Sequence, residues 1–294
     1  MEKRPKKLLL FSDLKLANKH GIGDELKAHF SVSADNPKNI LYVSYARKDS
    51  VQDDKETEVL KTIGMDLVSA KDIAPKNKSD KVKAWLKIMD EKKIEGIYVT
   101  GGNTFRLLNE LQETGLGEAI KTKVEDGIPY LGASAGANVV CPTIMTTNDM
   151  PIVQPKSFYA MNLVPFQINP HYVGDKAYYA EENTSLAKEF AEKGFFGRLK
   201  FLGGEIIKQL QELIKLVEYK GETRDQRIEE FFQENVTPVV GLRDGTALDI
   251  EDDKVRILGG KPYTLFLKDK VQERSDGNRI KDPKEPKEPL RDEK

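Results

Sequence analysis

The chain contains a single cysteine, Cys141, so no disulfide can close within it and its thiol content gives no sign of an oxidising compartment. It carries no excess of either charge. With 47 basic and 48 acidic residues the formal balance is −1, which lacks the positive footprint a nucleic-acid partner calls for. No apolar run approaches the roughly 20 residues needed to span a bilayer. The early run at 8–11 is followed at once by Asp13 and Lys15, and it is too short for the core of a secretory signal. The glycine-rich G-x-G-x-x-G pattern is missing, and no Gly-Lys-Ser/Thr follows a glycine turn, so a nucleotide site is not expected. A cytoplasmic protein that binds neither nucleic acid nor membrane is the expectation.

What is present begins with length: 294 residues suffice to bury a full core. Apolar runs at 7–13, 40–45 and 96–100 read as buried strands, with 65–69 a weaker candidate. Between them lie segments of helical period at 23–30, 54–63, 79–91 and 104–111. In the third, Val82, Trp85, Leu86 and Met89 share one face. Strand–helix alternation of this kind implies right-handed crossovers and a mostly parallel sheet with helices on both faces, an α/β three-layer fold. Further on, 165–171 reads as a short strand, 223–232 as a helix, 237–242 as a strand, and 246–250 with 254–258 as a hairpin. From 271 to 294 apolar residues almost vanish and K-E-P recurs, which predicts a disordered charged tail.

The most informative motif is G-A-S-A-G-A-N at 132–138, directly after the apolar run 128–131. A serine between glycines where a strand gives way to a helix reads as a nucleophile elbow, a sharp turn that lifts the Ser134 hydroxyl into the open. Small residues also recur in such turns for packing alone. The sequence G-G-N-T at 101–104 sits at another strand end, where a glycine lets a backbone amide approach a developing oxyanion and Thr104 can cap the next helix. In open α/β sheets, sites form at the carboxyl ends of strands, and both motifs lie there.

A serine nucleophile needs a base and a group to orient it. Of the three histidines, His20 lies in a polar loop and His29 in an amphipathic helix. His171 follows a proline at a strand tip and is the candidate base. Asp149, in T-T-N-D-M-P, is the candidate third member, although the same segment suits an Asx-turn or a helix cap.

The runs G-A-S-A-G-A-N-V-V-C-P-T-I-M-T-T-N-D-M-P-I-V, F-Q-I-N-P-H and G-E-T-R-D-Q-R-I-E-E-F together resemble peptidase E, the family of alpha-aspartyl dipeptidases. These are serine peptidases with a class I glutamine-amidotransferase-like (flavodoxin-like) fold. The resemblance extends from the first strand to about Lys268. It implies Ser134 as nucleophile, His171 as general base, Asp149 as a functional aspartate, and the amides of Gly102 and Ala135 as the oxyanion hole. It further implies that Arg224 binds the side-chain carboxylate of an N-terminal aspartate, with Asn103 nearby. Without it, Arg224 reads as a solvated residue in the first turn of a helix. The implied reaction is hydrolysis of Asp-Xaa dipeptides through an acyl-enzyme, with no cofactor and no metal, a small peptide as substrate, and a homodimer left open. Cys141 falls outside this chemistry and reads as structural.

The chain departs from the family pattern at 174–220, inserted between His171 and G-E-T-R within a catalytic domain of 1–270. Ile206, Leu210, Leu213 and Val217 form an apolar stripe there, so the insertion reads as helical and as a lid, an oligomer contact or a satellite pair. Three other functions stay in view: a cyanophycinase-like exopeptidase, an α/β-hydrolase esterase, and an inactive binding module. An esterase would place its acid much farther beyond the serine than Asp149 lies.

Overall fold

Strand β1 (Lys7–Phe11) is buried on both sides, with Leu8 and Leu10 entering one apolar cluster and Leu9 and Phe11 another. Alternate side chains of a strand point to opposite faces, so such a run needs cover above and below. A computed structural model describes residues 4–14, 23–48, 53–76, 80–173, 222–259, 261–268 and 270–274. The insertion expected at 174–220 lies outside the described residues, as does the tail beyond 274. The chain divides into two compact units, residues 1–172 with 231–294, and residues 173–230.

In the first unit, β1 is followed by α1 (Gly23–Phe30), β2 (Lys38–Val43), α2 (Asp53–Thr62), β3 (Met65–Ser69), the short α3 (Ala70–Ile73), α4 (Lys81–Glu91) and β4 (Gly96–Val99). Then come α5 (Thr104–Thr114), α6 (Leu116–Glu125), β5 (Tyr130–Ala133), α7 (Ala135–Asn138) and β6 (Gln167–Pro170). Strands β7 (Val239–Leu242), β8 (Ala247–Glu251), β9 (Lys254–Leu258), β10 (Tyr263–Leu267) and β11 (Lys270–Arg274) complete it. Seven strands form the main sheet in the order β3-β2-β4-β5-β1-β8-β9. The first five run parallel, and β8 and β9 join antiparallel. A second sheet, β11-β10-β7-β6, pairs β6 with β7 in parallel and the others antiparallel.

The expected mostly parallel sheet with helices is therefore present. Trp85 of α4 is fully buried, its indole N–H donating to Thr114 O at 3.1 Å. Burying one such large side chain is worth about 1.5–3 kcal/mol. Gly115, with φ +70°, closes α5 and lets the chain turn straight into α6. The composition assigned residues 271–274 to the tail, whereas they form most of β11. An edge strand draws on main-chain pairing with β10 and tolerates charged side chains, so apolar content alone does not end the fold there.

In the second unit, α8 (Arg224–Glu234), which runs on into the first, starts with a reciprocal cap. Thr223 Oγ1 accepts from Gln226 N–H at 3.2 Å, and Gln226 Oε1 accepts from Thr223 N–H at 2.8 Å. Among the described residues no helix is long and apolar enough to cross a membrane.

Candidate active site

Ser134 follows β5 directly and occupies φ +50°, ψ −105°, a region that side chains rarely adopt. Holding it there costs about 1–3 kcal/mol, which the surrounding contacts must offset. Its N–H donates to Phe11 O at 2.9 Å, and its carbonyl accepts from the amides of Ala137 and Asn138 at 2.9 and 3.0 Å. The turn is sharp enough that α7 lies directly against β4. A Cβ on Gly136 would fall 2.2 Å from Val99 O, so only glycine fits. The glycine spacing of the elbow thus has a steric cause in a neighbouring strand.

The result is a half-buried hydroxyl facing a histidine. Ser134 Oγ lies 2.9 Å from His171 Nε2, and His171 Nδ1 lies 2.6 Å from Asp244 Oδ1. A carboxylate only accepts, so in the neutral ring Nδ1 carries the proton and Nε2 is the acceptor for the serine hydroxyl. This is the tautomer a general base requires. His171, like Ser134, has a positive φ, +55°. The three residues come from the carboxyl ends of β5, β6 and β7, where ligand sites in such sheets form.

Asp244, not Asp149, therefore meets the histidine, and this corrects the expectation that the carboxylate between serine and histidine in sequence would orient the ring. Asp149 instead closes the start of α5. Its Oδ2 accepts from Thr104 N–H at 2.7 Å and from Thr104 Oγ1–H at 2.6 Å, and Thr147 Oγ1 stands 3.2 Å away. Asn138, at the end of α7, donates from Nδ2 towards Thr104 Oγ1 at 3.3 Å. A carboxylate at a helix start answers both the orphan amides and the dipole. The sequence signal for Asp244 was its D-G turn at the end of β7, the same kind of strand-end position that marked the other two.

The G-G-N-T loop stands beside the serine: a Cβ on Gly101 would lie 3.2 Å from Ser134 Cβ. Gly102 has φ +139°, and a Cβ there would lie 2.6 Å from Ala46 O. Arg47 Nε donates to Gly101 O at 2.8 Å, and Asn103 N–H to Ala46 O at 2.9 Å, tying the loop to the end of β2. The cap of α5 is Asn103 rather than Thr104, because Asn103 Oδ1 accepts from Arg106 N–H at 3.0 Å. The other end of the same amide donates to Met150 O at 2.9 Å. Asn103 thus has a positioning task in the loop. Ala135 opens α7 immediately after the serine. Arg224 belongs to the second unit as the first residue of α8.

Cys141 is fully buried, its Sγ 3.6 Å from Ala137 O, and burial pushes the thiol up to about 12. It stays protonated and unreactive at neutral pH. His29 is bonded through Nε2 to Tyr130 O at 3.1 Å, away from the serine. Among the described residues no group of three or more His, Cys, Asp or Glu is placed to hold a metal ion.

Residues 8–258 match the model of peptidase family S51. Over 176 residues, 60% of this chain, the sequence is 42% identical to a peptidase E of Nostoc sp.. It is 41% identical over 172 residues to a peptidase E of Streptomyces coelicolor. The aligned stretches span 57% and 55% of those two proteins. A "probable alpha-aspartyl dipeptidase" of Drosophila melanogaster is 34% identical over 269 residues, 89% of this chain and 90% of that one. In fold, the chain is similar to a crystal structure of a peptidase from an acI-B1 Actinobacterium. The TM-score is 0.58 at 14% identity, covering 95% of this chain and 97% of that one.

Proposed function

Because this chain belongs to peptidase family S51, we propose that it is a serine dipeptidase that hydrolyses dipeptides with an N-terminal aspartate through an acyl-enzyme. The observation that carries this reading is the line Ser134–His171–Asp244, with contacts of 2.9 and 2.6 Å. In the reaction, Ser134 Oγ attacks the peptide carbonyl carbon while its proton passes to His171 Nε2. The imidazolium formed is held by Asp244 and then protonates the leaving amine. Water attacks the ester by the same route in reverse, releasing aspartate and restoring the serine.

The carbonyl oxygen becomes negative during attack and needs amide donors in place beforehand. Gly102 and Ala135 supply them in this reading, the first from the loop beside Ser134 and the second from the start of α7. Arg224 is assigned to the aspartate side chain, since a planar guanidinium grips a carboxylate with two parallel hydrogen bonds. The fold is read as class I glutamine-amidotransferase-like. Support for the substrate comes from the name of the Drosophila relative, which matches over nearly its full length.

A dipeptide panel tests this. Asp-Leu is expected to be cleaved, with Glu-Leu and Asn-Leu slower by at least about tenfold and N-acetyl-Asp-Leu resistant. Rapid cleavage of the blocked peptide, or equal rates on Asn-Leu, would contradict a free-amine aspartyl dipeptidase.

A further inference from the structure

One two-residue stretch at the end of β1, Phe11-Ser12, reaches all three members of the proposed relay. Phe11 O accepts the Ser134 N–H at 2.9 Å. Ser12 Oγ lies 2.7 Å from Asp244 Oδ1 and 2.7 Å from His171 N. The directions follow from chemistry: the His171 amide can only donate, so the hydroxyl accepts there and gives its own proton to the carboxylate. Ser12 N–H also donates to Thr246 O at 3.1 Å, fixing the loop that carries Asp244.

Burial separates the anchor from the groups it holds. Ser12 has no exposed surface, whereas the side chains of His171 and Asp244 remain 39% and 42% exposed. Exposed side chains have freedom to swing, and the positive φ of His171 leaves its backbone a more comfortable conformation to relax into. The Ser12 hydroxyl ties both to a strand buried on its two faces. We propose that Ser12 is a positioning residue for the hydrolysis, clamping the His171 backbone and the Asp244 carboxylate so that the imidazole stays aligned between Asp244 and Ser134. This rests on the reading of Ser134, His171 and Asp244 as the catalytic relay.

The test is the rate at which a small fluorophosphonate labels Ser134. It needs the relay but no peptide pocket, so its outcome does not depend on which dipeptide is cleaved. Ser12→Ala, which fits the same space, is expected to slow labelling about tenfold. It should also move the acidic limb of the rate–pH profile upward, because Asp244 relieved of one donor holds the imidazolium more firmly. Added to Asp244→Ala, the same change is expected to slow labelling by clearly less than about tenfold, since only the tie to the His171 amide is then left to lose. Ser12→Thr, which restores the hydroxyl, should recover most of the rate.

Wild-type labelling and an unchanged pH profile in Ser12→Ala would overturn the proposal. So would an undiminished tenfold effect in the Asp244→Ala background. Should Ser12→Ala not fold, Ser12→Cys carries the same expectations, since a thiol still occupies the site but donates only weakly. A folded wild-type protein that is never labelled would instead defeat the reading of Ser134 as nucleophile, and this proposal with it.

Discussion

At the scale of single residues, two aspartates near one serine have different tasks, and their substitutions should fail differently. Asp244 holds the proton-bearing side of His171, so Asp244→Asn is expected to lower kcat on the order of 10³- to 10⁴-fold, with the melting temperature nearly unchanged. Asp149→Ala strips an acceptor from the Thr104 amide and hydroxyl, costing about 1–3 kcal/mol of stability as well as activity. Thermal melts set beside steady-state rates check the pair, and a stable, inactive Asp149→Ala with an active Asp244→Asn would reverse the assignment. Cys141 gives a third expectation. With its thiol raised to about 12 and no exposed surface, the folded protein should resist iodoacetamide at pH 8 and keep full activity, reacting only once unfolded. Modification of the native protein, followed by intact mass, would contradict that placement.

At the scale of elements, the elbow is built by close approach between β4, β5 and α7. Gly136→Ala would push a methyl group to within 2.2 Å of Val99 O, and backbone on both sides leaves little room to yield. It is expected to destabilise the protein by about 2–3 kcal/mol or more, measured by urea unfolding. A cost below about 0.5 kcal/mol would show that the turn is looser than described. Elements with a strong pattern were legible in the sequence: the apolar runs became β1, β2 and β4, and the segment at 23–30 became α1. Helix α6 was not read, although Leu116, Ala119, Ile120 and Val124 make a buried stripe. It follows α5 after a single glycine, so the two apolar stripes merge along the sequence with no polar loop to separate them. Strand β11 was missed for the opposite reason, since its support is backbone pairing rather than apolar side chains.

At the scale of the whole molecule, the proposed catalytic line depends on a pairing between strands remote in sequence. Strands β6 and β7 run parallel with Pro170 beside Leu242, so the chain leaves them at His171 and Arg243 side by side, one residue before Asp244. Ser134 and His171 were legible because each ends its own predicted strand. Asp244 also follows a predicted strand, at 237–242, but its place beside the histidine rests on the register of β6 against β7 in a second sheet, which local pattern does not encode. His29 adds one pH-dependent contribution to stability: burial lowers its pKa to about 4 against the pull of Asp249, the Tyr130 carbonyl and Glu251, while Lys7 adds to the lowering. The fold selects the neutral ring, so this contribution is whole above the unfolded value of 6.5 and is lost as pH falls through about 4. Allowing for partial exposure it amounts to about 2 kcal/mol. His29→Gln, which keeps a donor for Tyr130 O, should lose correspondingly less stability between pH 7 and pH 4 in urea titrations; an equal loss would place the acid sensitivity elsewhere. The central claim, that Ser134 is a nucleophile served by His171, is tested most directly by mapping the adduct formed with a fluorophosphonate. The account predicts one adduct, on Ser134, with labelling at least about 10³-fold slower in His171→Ala. A folded protein unmodified at Ser134, or labelled equally fast without the imidazole, would contradict it.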